Sequence, residues 1–308
     1  MGCDVSVVIA TWNRSDSLIR TLNSLCEQTL PGEMFEVIVV DNNSTDGIAS
    51  VVSLVNAPYN LRYIFEGRPG RTYALNTGLD AARGSIITVT DDDCVPDPKW
   101  LERITTRFEM PEVGLLGGPG LSVYPSEITG DEYRLFLGRR FFGDFSPYDK
   151  LTELKDDNLP LGLNLSFRRV IADNIHFDIS LGVFGKTHIG RDETDFIRRA
   201  QSLGYQVFFD PGVVVHHYLE EDRVTWPRIR HKAYNTGIGS FKEHYSHRAG
   251  SLLGRVVLSL QFEGEVVYAI LRILTFSLNR NKRTVANFRL AAALGKLAGL
   301  RNYGRRIL

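Results

Sequence analysis

The most pointed chemistry in this 308-residue chain lies in three adjacent carboxylates, Asp91-Asp92-Asp93. Like charges this close repel, and a turn gains nothing from three of them unless a cation or several donors compensate. A hard divalent cation takes oxygen ligands, commonly one or two carboxylates plus the phosphates of a substrate. The triplet therefore suits a metal that holds a diphosphate. Two other polar clusters follow apolar runs, Thr11-Trp12-Asn13-Arg14 and Asp41-Asn42-Asn43-Ser44-Thr45-Asp46-Gly47. Taken alone, the second of these reads equally well as a solvated turn.

The elements that must carry these clusters alternate in type. Val5 to Ala10, Phe35 to Val40, Leu61 to Phe65 and Ser85 to Thr90 are short runs rich in β-branched residues and read as strands. Between them, Ser15 to Thr29, Ile48 to Val55 and Thr72 to Arg83 read as helices. Strands and helices at this spacing imply right-handed βαβ crossovers, hence an α/β fold with a mainly parallel, Rossmann-like central sheet flanked by helices. Ligands of such sheets sit outside the carboxyl ends of the strands, which is where all three polar clusters fall.

Composition narrows the classes. At 43% hydrophobic and 23% charged residues the chain is neither disordered nor a low-complexity repeat. Thirty-six basic against 36 acidic residues argue against a nucleic-acid partner held by the whole chain. The charge is uneven, because Arg272 to Leu308 holds nine Lys/Arg and no acid, leaving the preceding residues with net charge −9. Cys3, Cys26 and Cys94 are too few and too scattered for a disulfide framework or a zinc site, which points to a reducing, cytoplasmic setting. No secretory signal precedes the first strand, and the opening Met1-Gly2-Cys3, although compatible with myristoylation, runs straight into a buried-strand pattern. A Gly-rich dinucleotide fingerprint, a Walker loop and a nucleophile elbow are all missing, so dehydrogenase, P-loop and serine-hydrolase readings fall.

The stretches VSVVIATWNR, VIVVDNNSTDG, GRTYALNTGL and ITVTDDDCVPDPKWL together resemble the nucleotide-sugar-binding half of glycosyltransferase family 2, inverting enzymes of the GT-A fold. The resemblance implies nucleobase recognition by Asp41, helped by Thr11 and Arg14, with Asn13 and Asn43 in the same clusters. It implies ribose contact by Asp91, a DXD motif shared with Asp92, and metal ligation by Asp93, the metal being Mn2+ or Mg2+. Arg71 and Asn76 fall where relatives carry a cation and an Asn near the diphosphate, Arg being able to engage it as a flat fork. Further on, Leu161-Gly162-Leu163-Asn164 resembles a Gly-x-Asn segment that follows a strand and borders donor sugar and acceptor, through Gly162 and Asn164.

Gly190-Arg191-Asp192-Glu193 resembles the family's Glu-Asp motif at the start of a helix, with the two acids exchanged. The resemblance then puts the general base at Glu193, beside Asp192. A carboxylate suits the task, since inverting transfer needs a base to take the proton of the attacking hydroxyl. Acids also simply favour a helix N-terminus. The run QVFFDPGVVV, Gln206 to Val215, reads as a strand delivering His216-His217 to the place where the family sets a His near the metal, and an imidazole ligand favours manganese.

The implied activity moves a sugar from a nucleotide diphosphate, most commonly a UDP-sugar, to a glycan or lipid-linked acceptor. A catalytically silent nucleotide-sugar binder is the alternative, and a nucleotidyltransferase a weaker one. The expected organisation is 1–100 for the nucleotide-sugar half, 101–222 for the acceptor half of the same domain, and 223–308 for a helical, basic extension. Glu220 to His247 mixes aromatics and cations, which fits either acceptor binding or helices snorkelling over a core. In Ser251 to Leu278 the charges Arg255, Glu263, Glu265 and Arg272 are too many for a bilayer span and share half a helical wheel, while Val256, Leu260, Val267, Leu271 and Leu274 share the other. That amphipathic helix either caps the catalytic domain or, with the basic tail, meets the anionic cytoplasmic face of a membrane.

Overall fold

Four runs of aliphatic and β-branched residues become β1 (Val5–Thr11), β2 (Phe35–Asp41), β3 (Asn60–Phe65) and β4 (Ile86–Asp91), separated by α1 (Ser15–Cys26), α2 (Ile48–Leu54) and α3 (Arg71–Ala81). The chain continues through β5 (Cys94–Pro96), α4 (Trp100–Phe108), β6 (Val113–Gly117), β7 (Gly120–Val123), β8 (Thr152–Glu153), β9 (Leu165–Arg168), α5 (Arg169–Ala172), β10 (Gly182–Phe184) and β11 (Thr187–Gly190). It ends with α6 (Asp192–Ser202), β12 (Gln206–Phe209), β13 (Val215–Tyr218), α7 (Trp226–His244), α8 (Leu252–Thr275) and α9 (Arg280–Arg305). This computed structural model describes residues 3–125, 142–155, 158–184, 187–275 and 280–305.

Eight strands form one sheet in the order β3-β2-β1-β4-β9-β6-β12-β8. The first four run parallel, so their carboxyl ends share one edge. β9 is antiparallel to both β4 and β6, and β12 is parallel to β6. β1 and β2 are buried along almost their whole length because helices cover both faces, which is why they read as continuous apolar runs. One apolar layer gathers Leu18, Leu22 and Leu25 of α1 with Trp100 and Ile104 of α4. The opposite layer gathers Ala74, Leu75 and Leu79 of α3 with Phe167 and Phe196. α3 lies close on the sheet, since a Cβ at Gly78 would come within 2.3 Å of a Val8 methyl.

A smaller sheet, β5-β13-β7, sits beyond the end of β4. The run Gln206 to Val215 is thus not one strand. It breaks at Asp210-Pro211-Gly212, where Asp210 accepts from the Gly212 N–H at 2.8 Å, and the chain passes from the large sheet to the small one. Residues 162–164 likewise precede β9 instead of following a strand.

The chain divides into two compact units, one from Met1–Val123, Phe142–Gly185 and Asp192–Leu219, the other from Tyr124–Phe141, Lys186–Arg191 and Glu220–Leu308. In the second, α7 and α9 approach closely enough that a Cβ at Gly295 would lie 1.8 Å from the Tyr234 carbonyl oxygen. Leu258 and Phe262 of α8 pack with Phe241, Leu297 and Leu300. Tyr245, one of the aromatics in the cation-rich stretch, packs on Phe262 at a centroid distance of 5.1 Å. The apolar face of α8 made by Val256, Leu260, Val267, Leu271 and Leu274 points outward and is exposed, so it does not cap a core.

Candidate active site

All sixteen residues singled out from the sequence lie in the first unit. The edge where β1, β2 and β4 end brings together Thr11, Arg14, Asp41 and the acid triplet. Asp91 closes β4, while Asp92 and Asp93 turn inward ahead of β5 and are 4% and 2% exposed. Each acid has its own partners. Arg71 Nη2 donates to Asp91 at 2.7 Å. Asp92 accepts from Thr11 Oγ1 at 2.8 Å and from Arg14 Nη1 at 2.8 Å. Asp93 accepts from the same Arg14 nitrogen at 3.0 Å and lies 3.4 Å from His217 Nε2. The compensation that three crowded carboxylates require is therefore present in protein side chains, two guanidinium groups and an imidazole.

The charges settle accordingly. Burial, then the neighbouring Asp93, pushes the Asp92 carboxyl up against the pull of Arg14. Burial works against the Asp93 carboxylate too, but His217 and Arg14 hold it below the usual carboxylate range. Antiparallel pairing of β13 with β5 sets His217 opposite Cys94 and thereby beside Asp93, whereas His216 faces the other way and pairs with Asp97 at 3.1 Å.

Among the described residues no three His, Cys, Asp or Glu side chains converge as a complete metal cage. A cation here would need oxygens brought by its ligand, which is how magnesium and related ions are commonly held beside phosphates. The donors present fit that arrangement. His217 Nδ1 faces the Phe142 carbonyl at 2.9 Å and must carry the hydrogen of that bond. Nε2 is left toward Asp93, to share a proton with the carboxylate or to give its lone pair to a cation.

Arg71 joins this corner to the helix that carries the proposed base. Its second nitrogen, Nη1, donates to Asp192 at 2.6 Å, so one planar fork spans Asp91 at the end of β4 and Asp192 at the start of α6. Asp192 is buried and held by that pairing. Glu193, half-buried, has its carboxyl pushed up to about 7, first by burial and then by the Asp192 charge, with Arg71 opposing. Gly162 leaves the space beside it open, since a Cβ there would come within 3.3 Å of Glu193 Cβ.

At the other end of the edge, Asp41 accepts from the Ser44 N–H at 2.9 Å and from the Tyr63 hydroxyl at 2.8 Å. Asn13 and Asn43 both adopt left-handed φ, at +53° and +66°, a conformation Asn tolerates better than most residues. Asn13 Oδ1 accepts from the Thr45 N–H at 2.7 Å, so it ties the first cluster to the second.

Two assignments move. Asn76 exchanges a pair of 2.9 Å hydrogen bonds with the backbone of Phe177 and holds that loop to α3. Asn164 is 1% exposed and gives its whole amide to the scaffold, accepting from Trp100 Nε1 at 3.0 Å and donating to the carbonyls of Pro119 at 3.0 Å and Val213 at 2.7 Å. The structure gives both amides to structural partners in place of a donor. Asn164→Ala should lower the unfolding free energy by about 3 kcal/mol, because three buried groups lose their partner at once. Urea titration reads this. A loss confined to donor affinity, with stability unchanged, would return Asn164 to the sugar.

Sequence reasoning passed over Trp12, Tyr63 and Thr21. Trp12 is 44% exposed just past the end of β1, an indole turned to where a ring could meet it. Tyr63 could have been found from strand register, lying on β3 two residues before the partner of Asp41. Thr21 Oγ1 donates to the Asp92 carbonyl at 3.0 Å from inside α1, a link with no local sequence signal.

Comparison with known proteins bears on the family and the fold. The model for glycosyl transferase family 2 matches residues 6–159, half of the chain and all three polar strand ends. Glycosyltransferase AglE of Haloferax volcanii is 28% identical over 215 residues, 69% of this chain and 66% of that protein. The glucosyl-dolichyl phosphate glucuronosyltransferase of the same organism is 26% identical over 260 residues, 81% of this chain and 78% of that protein. In fold, the chain is similar to the mannosyltransferase PcManGT from Pyrobaculum calidifontis, solved with GDP-Man and Mn2+, at TM-score 0.62 and 21% identity over 96% of this chain and 88% of that one. The GT-A architecture and the strand-end motifs thus have a common explanation: the chain belongs to glycosyltransferase family 2.

Proposed function

We propose that the chain transfers a sugar, with inversion, from a nucleoside diphosphate donor to a hydroxyl of a glycan or lipid-linked acceptor. The observation that carries this reading is Glu193, a carboxylate with pKa near neutrality, linked through Asp192 and the Arg71 fork to the acid corner at the end of β4. The acceptor hydroxyl gives its proton to Glu193 as its oxygen bonds to the anomeric carbon. The bond from that carbon to the diphosphate breaks, and its electron pair leaves with the nucleotide. No covalent enzyme intermediate is needed.

Asp41, with Tyr63 and Trp12 nearby, would receive the base, uracil being our first choice. Arg71 and Arg14 face the region a diphosphate must occupy. A divalent cation, manganese by preference for the imidazole of His217, would be held by Asp93 and His217 and would neutralise charge on the departing diphosphate. The name of the Haloferax glucuronosyltransferase, which specifies a dolichyl phosphate-linked sugar, supports a lipid-linked acceptor. Such an acceptor would place the chain at the cytoplasmic face of a membrane.

Release of free nucleoside diphosphate from a panel of nucleotide sugars, with and without manganese and with acceptor present, tests the transfer. The pH profile tests the base. Glu193 works only when ionised, so the rate should rise as pH climbs through about 7 and level off above it. Below that point it should fall about tenfold per pH unit. A flat profile between pH 6 and 8 would remove Glu193 from the role.

A further inference from the structure

Helix α8 is apolar on two sides, and one of them is exposed. Leu253, Val256, Leu260, Val267, Leu271 and Leu274 fall within about a sixth of the helical circle at 3.6 residues per turn. All six are exposed, Leu253 by 75% and Leu260 and Leu274 by 66% each. The opposite side, Leu258, Phe262 and Ala269, is buried in the three-helix core. A stripe of this kind along a 24-residue helix, about 36 Å long, exceeds the scattered apolar exposure that any surface carries. Among the described residues no helix is long and apolar enough to cross a membrane.

Charge decides what can cover the stripe. α9 begins five residues beyond the end of α8 and packs along it, with Lys282 and Arg283 exposed in its first turn. From Arg272 to Leu308 there are nine basic residues and no acid. A second copy whose α8 ran parallel to this one would stack two acid-free segments of like charge. An anionic lipid surface offers the reverse, apolar depth for the stripe and negative headgroups for the arginines and lysines. Glu263 of α8, at the edge of the stripe, accepts a hydrogen bond from Ser259 at 2.9 Å.

We propose that the outward face of α8 seats this chain on an anionic membrane surface, the helix lying in the plane of the interface with the start of α9 at the headgroups. The test is co-sedimentation of the full chain with vesicles of phosphatidylcholine alone or mixed with phosphatidylglycerol, alongside sedimentation velocity without lipid. The wild type should partition at least about tenfold better onto the anionic vesicles, and less well as salt is raised. Leu260→Asp with Leu271→Asp, both at exposed positions, should abolish partition while the circular dichroism and melting temperature stay unchanged. Wild-type chain left in the supernatant of anionic vesicles overturns the proposal, as does a double variant that binds like wild type. A dimer in solution that the two substitutions dissolve would assign the face to a second copy and overturn it too. These readouts do not require sugar transfer, so failure here and failure of the proposed catalysis are separate results.

Discussion

Glu193→Gln is expected to slow sugar transfer by about a thousandfold while leaving nucleotide affinity within a factor of about two, the loss lying in the middle of the range measured for general bases. Gln keeps the shape of the side chain and its place beside Gly162, and it cannot take a proton. It also removes a carboxyl that burial and Asp192 make costly to ionise, so the variant should be no less stable than the wild type. Single-turnover transfer and calorimetric titration with nucleoside diphosphate separate the two quantities. Full transfer by this variant would end the assignment of the base.

The second large effect belongs to Asp93→Ala. The substitution strips Arg14 and His217 of a common buried carboxylate and removes one of the two groups proposed to hold a cation. Transfer efficiency should fall by at least about a hundredfold, the scale seen when one preorganised electrostatic contact to a developing charge is lost. The response of nucleotide binding to manganese should disappear with it. His217→Gln should reproduce the loss of metal response, and His216→Gln should not, because His216 turns toward Asp97. Equal effects from the two histidine variants would mean that the register of β13 does not select the ligand.

What the sequence made legible were features written in short, local patterns. β1, β2 and β4 are near-continuous aliphatic runs, and each ends in polar residues that no core would accept, so strand, edge and pocket could be read together. Features depending on contacts far along the chain were not legible. The fork of Arg71 joins residues 91 and 192, and nothing within a few positions of either shows it. Asn76 and Asn164 sit in motifs that suggest a ligand, yet their amides serve backbone groups 101 and 49 residues away. The crowding of Asp91 to Asp93 was read as a demand for a dication, because the approach of Arg14 and His217 is tertiary. Periodicity set the charges of α8 on one half and the five aliphatic residues on the other, but the side that packs is Leu258, Phe262 and Ala269, which lie within the charged half.

The reversed direction of β9 fixes which of its ends lies beside the acid corner. Because this strand enters the sheet at the edge where β1 and β4 finish, its lead-in passes the end of β4, where Thr90 is fastened to the Leu163 carbonyl at 2.8 Å. The departing end is locked elsewhere, with Arg168 bound to the carbonyls of Phe108, Met110 and Val113. The chain is therefore fastened on both sides of β9, through Leu163 and Asn164 on arrival and through Arg168 on departure, which holds this reversed strand in register between β4 and β6.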